Sequence, residues 1–492
     1  MQFLGLFHHP RTACAQSITN ENFLSLGMNA VSGKDVLAEG GTLALVCGCI
    51  RNREALAAFL QLPINAPAAA LLINAYRLWG ADYPRHIEGS AATAILDRVE
   101  DRMILTRDRA GAIPVYFSWH GRTVTFAGKI RYLHHMNAAG HAIGIDSLNA
   151  LFALSHLAIP GRTPFSDVRA LEPGCAFISD ARGTRTRRYY ALPDSDRSLK
   201  SVLEDTLTGL PADENAAMFS DVSDPSHASS DASDNDLFSM FLDRRHLTAQ
   251  PISPSELEDL SEDAFIEAIG DATYAIGMPC GLSDVTHLLI AQHTSENCRY
   301  LITDAGRSEL TTLPPCPQML FDAHPLTRFL RPALKEAMNP AAYAQNRLRE
   351  ALDRLPIDPK MDDDTRDVHA VFTIACAYIL PALAARRSVI CTENHLTPIM
   401  PWLDERVLSV LKSSPRVPSA SDSSVVLPAA AQSGLRWEAL RIAQDDTQPI
   451  HALIDAQALM NEAKSDRPDI EALTRLISIN FFLMQNEAEI RL

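Results

Sequence analysis

The sequence predicts an α+β region built on antiparallel strands, followed by a helix-rich α/β region. Three observations carry that reading. Between Ala94 and Leu133, short apolar runs alternate with polar breaks of hairpin length. From Leu199 onward, apolar residues recur mostly at helical spacing. Between the two regions, Asp194-Ser195-Asp196-Arg197-Ser198 is a polar linker.

Composition bounds the rest. A chain of 492 residues is expected to hold two or three domains. With 47% hydrophobic residues it has ample material for packed cores. A net charge of -16 argues against broad nucleic-acid binding, which needs basic surface against phosphates. Nine cysteines are scattered without a CxxC pair, as expected of a reduced, cytoplasmic setting. No apolar run approaches the ~20 residues of a membrane span, so no membrane role is expected. Phe3-Leu4-Gly5-Leu6-Phe7 is too short for a signal core and reads as a first strand.

Taken in order, Ala94–Leu96, Met103–Leu105, Val115–Phe117 and Val124–Phe126 read as one antiparallel meander with one buried face. Its breaks include Asp101-Arg102 and His120-Gly121-Arg122. Asp146 to Leu157 carries Leu148, Leu151, Phe152 and Leu154 at helical spacing. Leu199 to Leu210 reads as a helix and Ala216–Phe219 as a short strand. Ser220 to Asp236 is Ser- and Asp-rich and reads as a solvated loop, without EF-hand spacing. Helices are expected over Leu257–Met278, Asp284–Thr294, Phe321–Leu355 and Asp367–Ala385, the last buried almost all round. After a second linker at Ser419–Ser424, two helices close the chain. In Asp469–Gln485, Ile470, Leu473, Leu476, Ile477, Phe481 and Phe482 form either a core face or a docking face.

The spelling of these segments adds a resemblance. Thr106-Arg107-Asp108-Arg109-Ala110-Gly111-Ala112-Ile113-Pro114-Val115-Tyr116 resembles the (A/S)RDRxGxxPLYY stretch of asparagine synthetases. Phe126-Ala127-Gly128-Lys129-Ile130 is similar to FASEIKAL, and Ala75-Tyr76-Arg77-Leu78-Trp79-Gly80 to A-Y-x-x-W-G. Leu171-Glu172-Pro173-Gly174 resembles L-P-P-G, and Arg187-Arg188-Tyr189-Tyr190 the closing R-Y-W. With these fragments in order, the chain is identified as a degenerate member of the glutamine-hydrolysing asparagine synthetase superfamily. Its relatives include β-lactam synthetases and lasso-peptide cyclases. The resemblance implies a class II glutamine amidotransferase-like antiparallel β sandwich, Ntn-like, over residues 1–193. It implies an asparagine synthase-like, ATP-pyrophosphatase-like α/β domain over 199–418 and a helical extension over 419–492.

The chemical residues of that family are mostly replaced. Its glutaminase uses an N-terminal cysteine at position 2, where this chain has Gln2; Cys14 has no terminal amine and reads as a packed thiol. Leu45 to Asn52 resembles a strand and turn reading N-G-E-I-Y-N. Gly48, Ile50 and Asn52 persist, but the substrate-holding Asn and Glu are Cys47 and Cys49. A substrate-gripping Asp falls at Ala68, and the Arg-bearing strand is missing. Without placed charges and donors, glutaminase activity is not expected. Cys47-Gly48-Cys49 lacks the second pair or spaced His that a soft metal needs. His8-His9 and His134-His135 read as surface or interface histidines.

In the second region, Ser220-Asp221-Val222-Ser223-Asp224-Pro225-Ser226 stands where the family has the S-G-G-x-D-S pyrophosphate loop. Asp221 adds repulsion to phosphate, Val222 restricts the backbone and Pro225 removes an N–H. Arg299 to Leu310 resembles V-V-L-S-G-D-G-G-D-E-L-F, with Arg307 for a Gly and Ser308 for an Asp. Thr397 to Asp404 resembles E-V-R-V-P-F-L-D, with Thr397 and Ile399 for Glu and Arg; Ser388 replaces the Asp of an upstream K-V-D-R. If ATP is retained, the resemblance assigns Ser220, Asp224, Ser226 and Gly306 to its phosphates and Asp304 and Glu309 to Mg²⁺. Two readings stay open. One is a pseudoenzyme serving an amide-forming pathway, without cofactor. Its partner would be an active paralogue, a peptide or a small-molecule carboxylate, with homodimerisation by analogy. The other is an ATP- and Mg²⁺-dependent amidoligase acting through an acyl-AMP.

Overall fold

A computed structural model describes residues 3–8, 23–26, 29–33, 35–121, 123–208, 216–219, 250–252, 260–296, 298–311, 313–355, 361–413 and 427–491. Two compact units emerge. The first is Met1–Ala142 with Ile159–Ala191; the second is Ile143–Ala158 with Leu192–Leu492.

Two antiparallel six-stranded sheets make the first unit. One has the order Gly183–Arg188, Cys175–Asp180, Arg102–Thr106, Ala91–Asp97, Thr42–Gly48, Asp35–Glu39. The other runs Arg169–Ala170, Tyr116–His120, Thr123–Ala127, Leu4–His8, Asn29–Ser32, Phe23–Leu26. The expected single meander is therefore two hairpins in two different sheets. The segment after Thr106 carries the chain from one sheet to the other. The expectation of one buried face fails as well, because all seven residues of Ala91–Asp97 are buried. Helix Ala68–Trp79 covers one face, with Leu72, Ile73 and Tyr76 in one cluster with Ile95, Ile104 and Ile178. The other face meets the second sheet, where Phe177 and Phe117 have ring centroids 4.3 Å apart. Polar atoms inside find partners: Tyr76 Oη donates to Asp97 at 2.9 Å, and Tyr83 Oη lies 2.7 Å from Thr93 Oγ1.

A parallel sheet sits in the second unit, in the order Gln250–Ile252, Ala216–Phe219, Tyr300–Thr303, Thr397–Ile399. Helices make up most of the rest. The expected helix over Phe321–Leu355 is broken into Pro325–Phe329, Pro332–Met338 and Pro340–Asp353. Each piece opens on a proline, which cannot continue a helix, and Asn339 turns the chain at φ 45°. Asp367–Ala385 likewise divides between Asp363–Tyr378 and Leu380–Glu393. Contrary to expectation, one stretch among the described residues reaches the length and apolarity of a membrane crossing, Asp363–Glu393 with hydropathy 1.9. It packs as a core helix pair, 56% of its apolar window being buried in the protein. There Arg387 is 1% exposed, and Arg386 Nη1 meets Asp284 Oδ2 at 2.5 Å.

Helix Ile145–Phe152 and its tail join this second unit through specific contacts. Asn149 Nδ2 donates to Met338 O at 2.8 Å, His156 Nε2 meets Leu320 O at 2.8 Å, and Arg475 reaches Ser155 O at 2.9 Å. Three helices rather than two close the chain: Ala429–Gln444, Ala456–Ala463 and Ile470–Gln485. The apolar face of the last is core. Leu473, Leu476, Ile477 and Phe482 are buried, and Ser478 Oγ bonds Thr273 Oγ1 at 2.6 Å and Cys280 N at 2.8 Å.

Candidate functional site

Strand Thr42–Gly48 delivers Cys47, Gly48 and Cys49 into a turn held entirely by backbone partners. Cys49 N donates to Ser90 O and Arg51 N to Glu88 O, both at 2.8 Å. Asn52 bridges the same two segments, donating to His86 O at 2.9 Å and accepting from Glu88 N at 3.1 Å. Gly48 has φ 106°, and a Cβ there would lie 2.1 Å from Ser90 O and 2.2 Å from Ile113 Cδ1. The retained Gly48 and Asn52 therefore serve the turn itself. Burial pushes the Cys47 thiol up to about 11, which keeps it protonated and unreactive at neutral pH. Cys49 is exposed.

Ala68, at the position of the family's substrate-gripping Asp, opens helix Ala68–Trp79. Its start is already occupied. Asp35 accepts from Ala68 N at 3.0 Å through one oxygen and from Ala69 N at 3.1 Å through the other. A helix start is a natural anion site; here the chain's own carboxylate fills it. Sequence reasoning missed Asp35, whose partners are more than thirty residues away.

The stretch from Thr106 to Tyr116 turns out to be a clamp. Asp108 accepts from Ala112 N at 2.8 Å and Ile113 N at 2.9 Å, and its carbonyl takes Gly174 N at 3.0 Å. Arg107 donates to Leu171 O at 2.9 Å and Gly111 O at 2.6 Å. Tyr189 Oη donates to Arg107 O at 2.7 Å. Both charged residues are buried. Burial pushes the Asp108 carboxyl up and the Arg107 guanidinium down, each offset in part by the other's charge. Three of the recognisable fragments, around residues 107, 172 and 189, thus meet in one hydrogen-bonded crossing.

Within the second unit, strand order reverses direction between Ala216–Phe219 and Tyr300–Thr303, since Gln250–Ile252 lies on the far side of the former. Ligands of parallel sheets sit beyond the strand ends at such a switch point. Asp304 follows Thr303 there and is 9% exposed. Gly306, at φ 93°, leaves no room for a Cβ, which would lie 2.4 Å from Leu403 Cδ2. Its N–H donates to Glu309 Oε2 at 3.0 Å. The Arg307 guanidinium stands 5.8 Å from the centre of the Trp402 ring. Asp304, Gly306 and Glu309 are thus brought into one loop, while Ser220, Asp224, Ser226, Gln2 and Cys14 lie outside the described residues. Thr303 Oγ1 and Ser388 Oγ are buried without a hydrogen-bond partner among the described residues, a feature the sequence did not flag. Carboxylates and a spare hydroxyl suit a hard cation such as Mg²⁺. Among the described residues no three potential ligand side chains cluster, so such an ion would need further ligands.

Residues 37–190 match the glutamine amidotransferase domain family. The first unit is a glutamine amidotransferase-type domain. The chain is also a relative of the asparagine synthetases, being 22% identical over 147 residues to asparagine synthetase [glutamine-hydrolyzing] 3 of Bacillus subtilis (strain 168). That match covers 28% of this chain and 24% of the relative, so it spans about a quarter of the relative's length. Two solved structures are similar at TM-scores of 0.24. Glutamine phosphoribosylpyrophosphate amidotransferase of B. subtilis, complexed with ADP and GMP, is 12% identical and covers 46% of this chain and 50% of its own. The allosteric regulatory enzyme of purine biosynthesis is 14% identical, with 39% and 46% covered. The amidotransferase-type match opens in strand Asp35–Glu39 and ends at Tyr190, so it takes in the Asp108 clamp and the Cys47–Asn52 turn. A helix-rich region follows it.

Proposed function

We propose that this chain is an asparagine synthetase relative that does not hydrolyse glutamine and acts as a non-catalytic partner protein in an amide-forming pathway of the cytoplasm. The observation that carries this reading is the inward turn of the substrate positions. Cys47 is held as a thiol, and Asp35 fills the helix start at Ala68. An amino acid is recognised through placed charges and donors, and here those donors already have partners. The partner would be an active paralogue, a peptide or a small-molecule carboxylate, or a second copy. A glutaminase assay on the purified chain tests the reading. No ammonia release above the protein-free background is expected; turnover that a Cys49→Ala variant retains and added glutamine saturates would overturn it.

A second reading is an ATP-dependent amidoligase that forms an acyl-AMP and then an amide. It is favoured by the switch point, with Asp304, Glu309 and the spare Thr303 hydroxyl on one loop. Ser220, Asp224, Ser226 and Gly306 would then meet ATP phosphates, and Asp304 and Glu309 would hold Mg²⁺. Isothermal calorimetry with ATP and Mg²⁺ separates the two. Binding tighter than about 1 mM, near -4 kcal/mol, that Asp304→Ala abolishes selects the ligase; no heat leaves the partner protein.

A further inference from the structure

Neither reading uses the open edge of the first unit. Strand Gly183–Arg188 ends its sheet and pairs on one side only, with Cys175–Asp180. Five of its six residues are exposed. Beside it lies an open cavity of about 320 Å³, lined by Phe117, Trp119, Phe177, Arg169, Thr184 and Thr186 among others. The rings form a stacked wall, with Phe117 5.9 Å from Trp119 and 4.3 Å from Phe177. Trp119 is 44% exposed, although an indole gains by burial.

The charge here runs against that of the whole chain, which is -16. Arg169, Arg182, Arg185, Arg187 and Arg188 gather at this edge. Arg185 closes on Asp180, Arg187 on Asp82 and Arg188 on Glu172. The side chains of Arg169 and Arg182 meet no acidic group among the described residues. Arginine on an edge strand discourages aggregation, which accounts for the sign of the charge but not for the aromatic cavity next to it.

We propose that this edge binds an extended, acidic polypeptide segment of another protein, which adds as a strand beside Gly183–Arg188. In this mode the main chain supplies hydrogen bonds, and alternate side chains enter pockets. One aromatic or large aliphatic side chain seats against Trp119, and neighbouring carboxylates face Arg169 and Arg182. The cavity is too open to enclose a small molecule as ligand pockets do. A second copy is disfavoured, because pairing two such strands sets arginine opposite arginine. The inference stands on geometry and charge alone and is independent of ATP or glutamine binding.

Selection of a random-peptide phage library against the whole chain tests it. The expected winners alternate acidic and apolar residues around an aromatic. A synthetic copy of a winner should slow amide exchange over 183–188 and bind more weakly as salt rises. Its Kd should rise about tenfold or more in Trp119→Ala and in the double variant Arg169→Glu/Arg182→Glu. Since both arginines are exposed, the double variant keeps the test valid if Trp119→Ala misfolds. No enrichment, winners without acidic bias, or binding that the double variant leaves unchanged would overturn the proposal. So would self-association of the chain that Arg182→Glu abolishes, which would make a second copy the occupant.

Discussion

Asp35 Oδ2 lies 3.0 Å from the backbone nitrogen of Ala68, and Oδ1 takes the next amide, that of Ala69. One carboxylate thereby satisfies two of the orphan donors that open a helix. Its charge also matches the positive end of the helix dipole. Asp35→Ala is expected to lower stability by about 1–2 kcal/mol, read as a shift in urea midpoint at constant slope. An unchanged midpoint would mean that water replaces the carboxylate without loss.

A larger effect is expected at the clamp. Asp108→Ala strands the buried N–H groups of Ala112 and Ile113 and removes the charge beside buried Arg107. Together these should cost about 3–5 kcal/mol. Chemical denaturation of the purified variant measures it. A loss under about 1 kcal/mol would contradict the clamp.

Acid should loosen the fold through its buried histidines. Burial pushes His134 and His324 down to about 4, assisted by His141 and by Arg475 respectively, and His156 is lowered too. A histidine whose folded pKa lies below its unfolded value favours the neutral form. Its contribution is complete above the unfolded pKa of about 6.5 and is lost as pH falls toward about 4. Melting temperature should therefore start to drop below about pH 6.5, well before most carboxylates protonate. Neither ring nitrogen of His134 has a hydrogen-bond partner among the described residues. His134→Phe should flatten the acid limb for the first unit and leave that of the second in place, which calorimetry with two resolved transitions would show.

Thiol labelling offers a quick check of the site. Burial pushes Cys47 and Cys280 up to about 11, and Cys376 and Cys391 up to about 12. Cys49, one residue from the Gly48 turn, is exposed. Brief iodoacetamide treatment at neutral pH followed by peptide mass spectrometry should find Cys49 modified well before Cys47. Equal rates would mean that Cys47 is far more open than its surroundings suggest.

Local patterns were legible where the information is local. The hairpins at Ala91–Thr106 and Tyr116–Ala127 follow from alternation and turn residues. Which sheet each joins does not, because alternation describes a strand's faces and is silent on its partners. The breaks at Pro332 and Pro340 were written in the chain, yet the apolar spacing of Phe321–Leu355 masked them. At the site, the replacement of substrate residues by Cys47 and Cys49 was visible in the spelling. The use of Asp35 at Ala68 was not, since a contact across more than thirty residues leaves no sequence signature. Asp304, Gly306 and Glu309 were found together because one loop holds them. The spare Thr303 hydroxyl beside them required coordinates.

The assignment of Ile143–Ala158 to the second unit has a practical consequence for anyone dissecting the protein. The first unit leaves off at Ala142 and resumes at Ile159, so its sequence is discontinuous. No single cut yields both halves whole. A fragment ending near Ala191 would keep helix Ile145–Phe152 but lose the Met338 and Leu320 carbonyls that receive Asn149 and His156. Leu148 and Phe152, buried in the full chain, would face water, and the fragment would tend to precipitate. Bridging Ala142 to Ile159 with a short flexible insert is the excision the architecture permits.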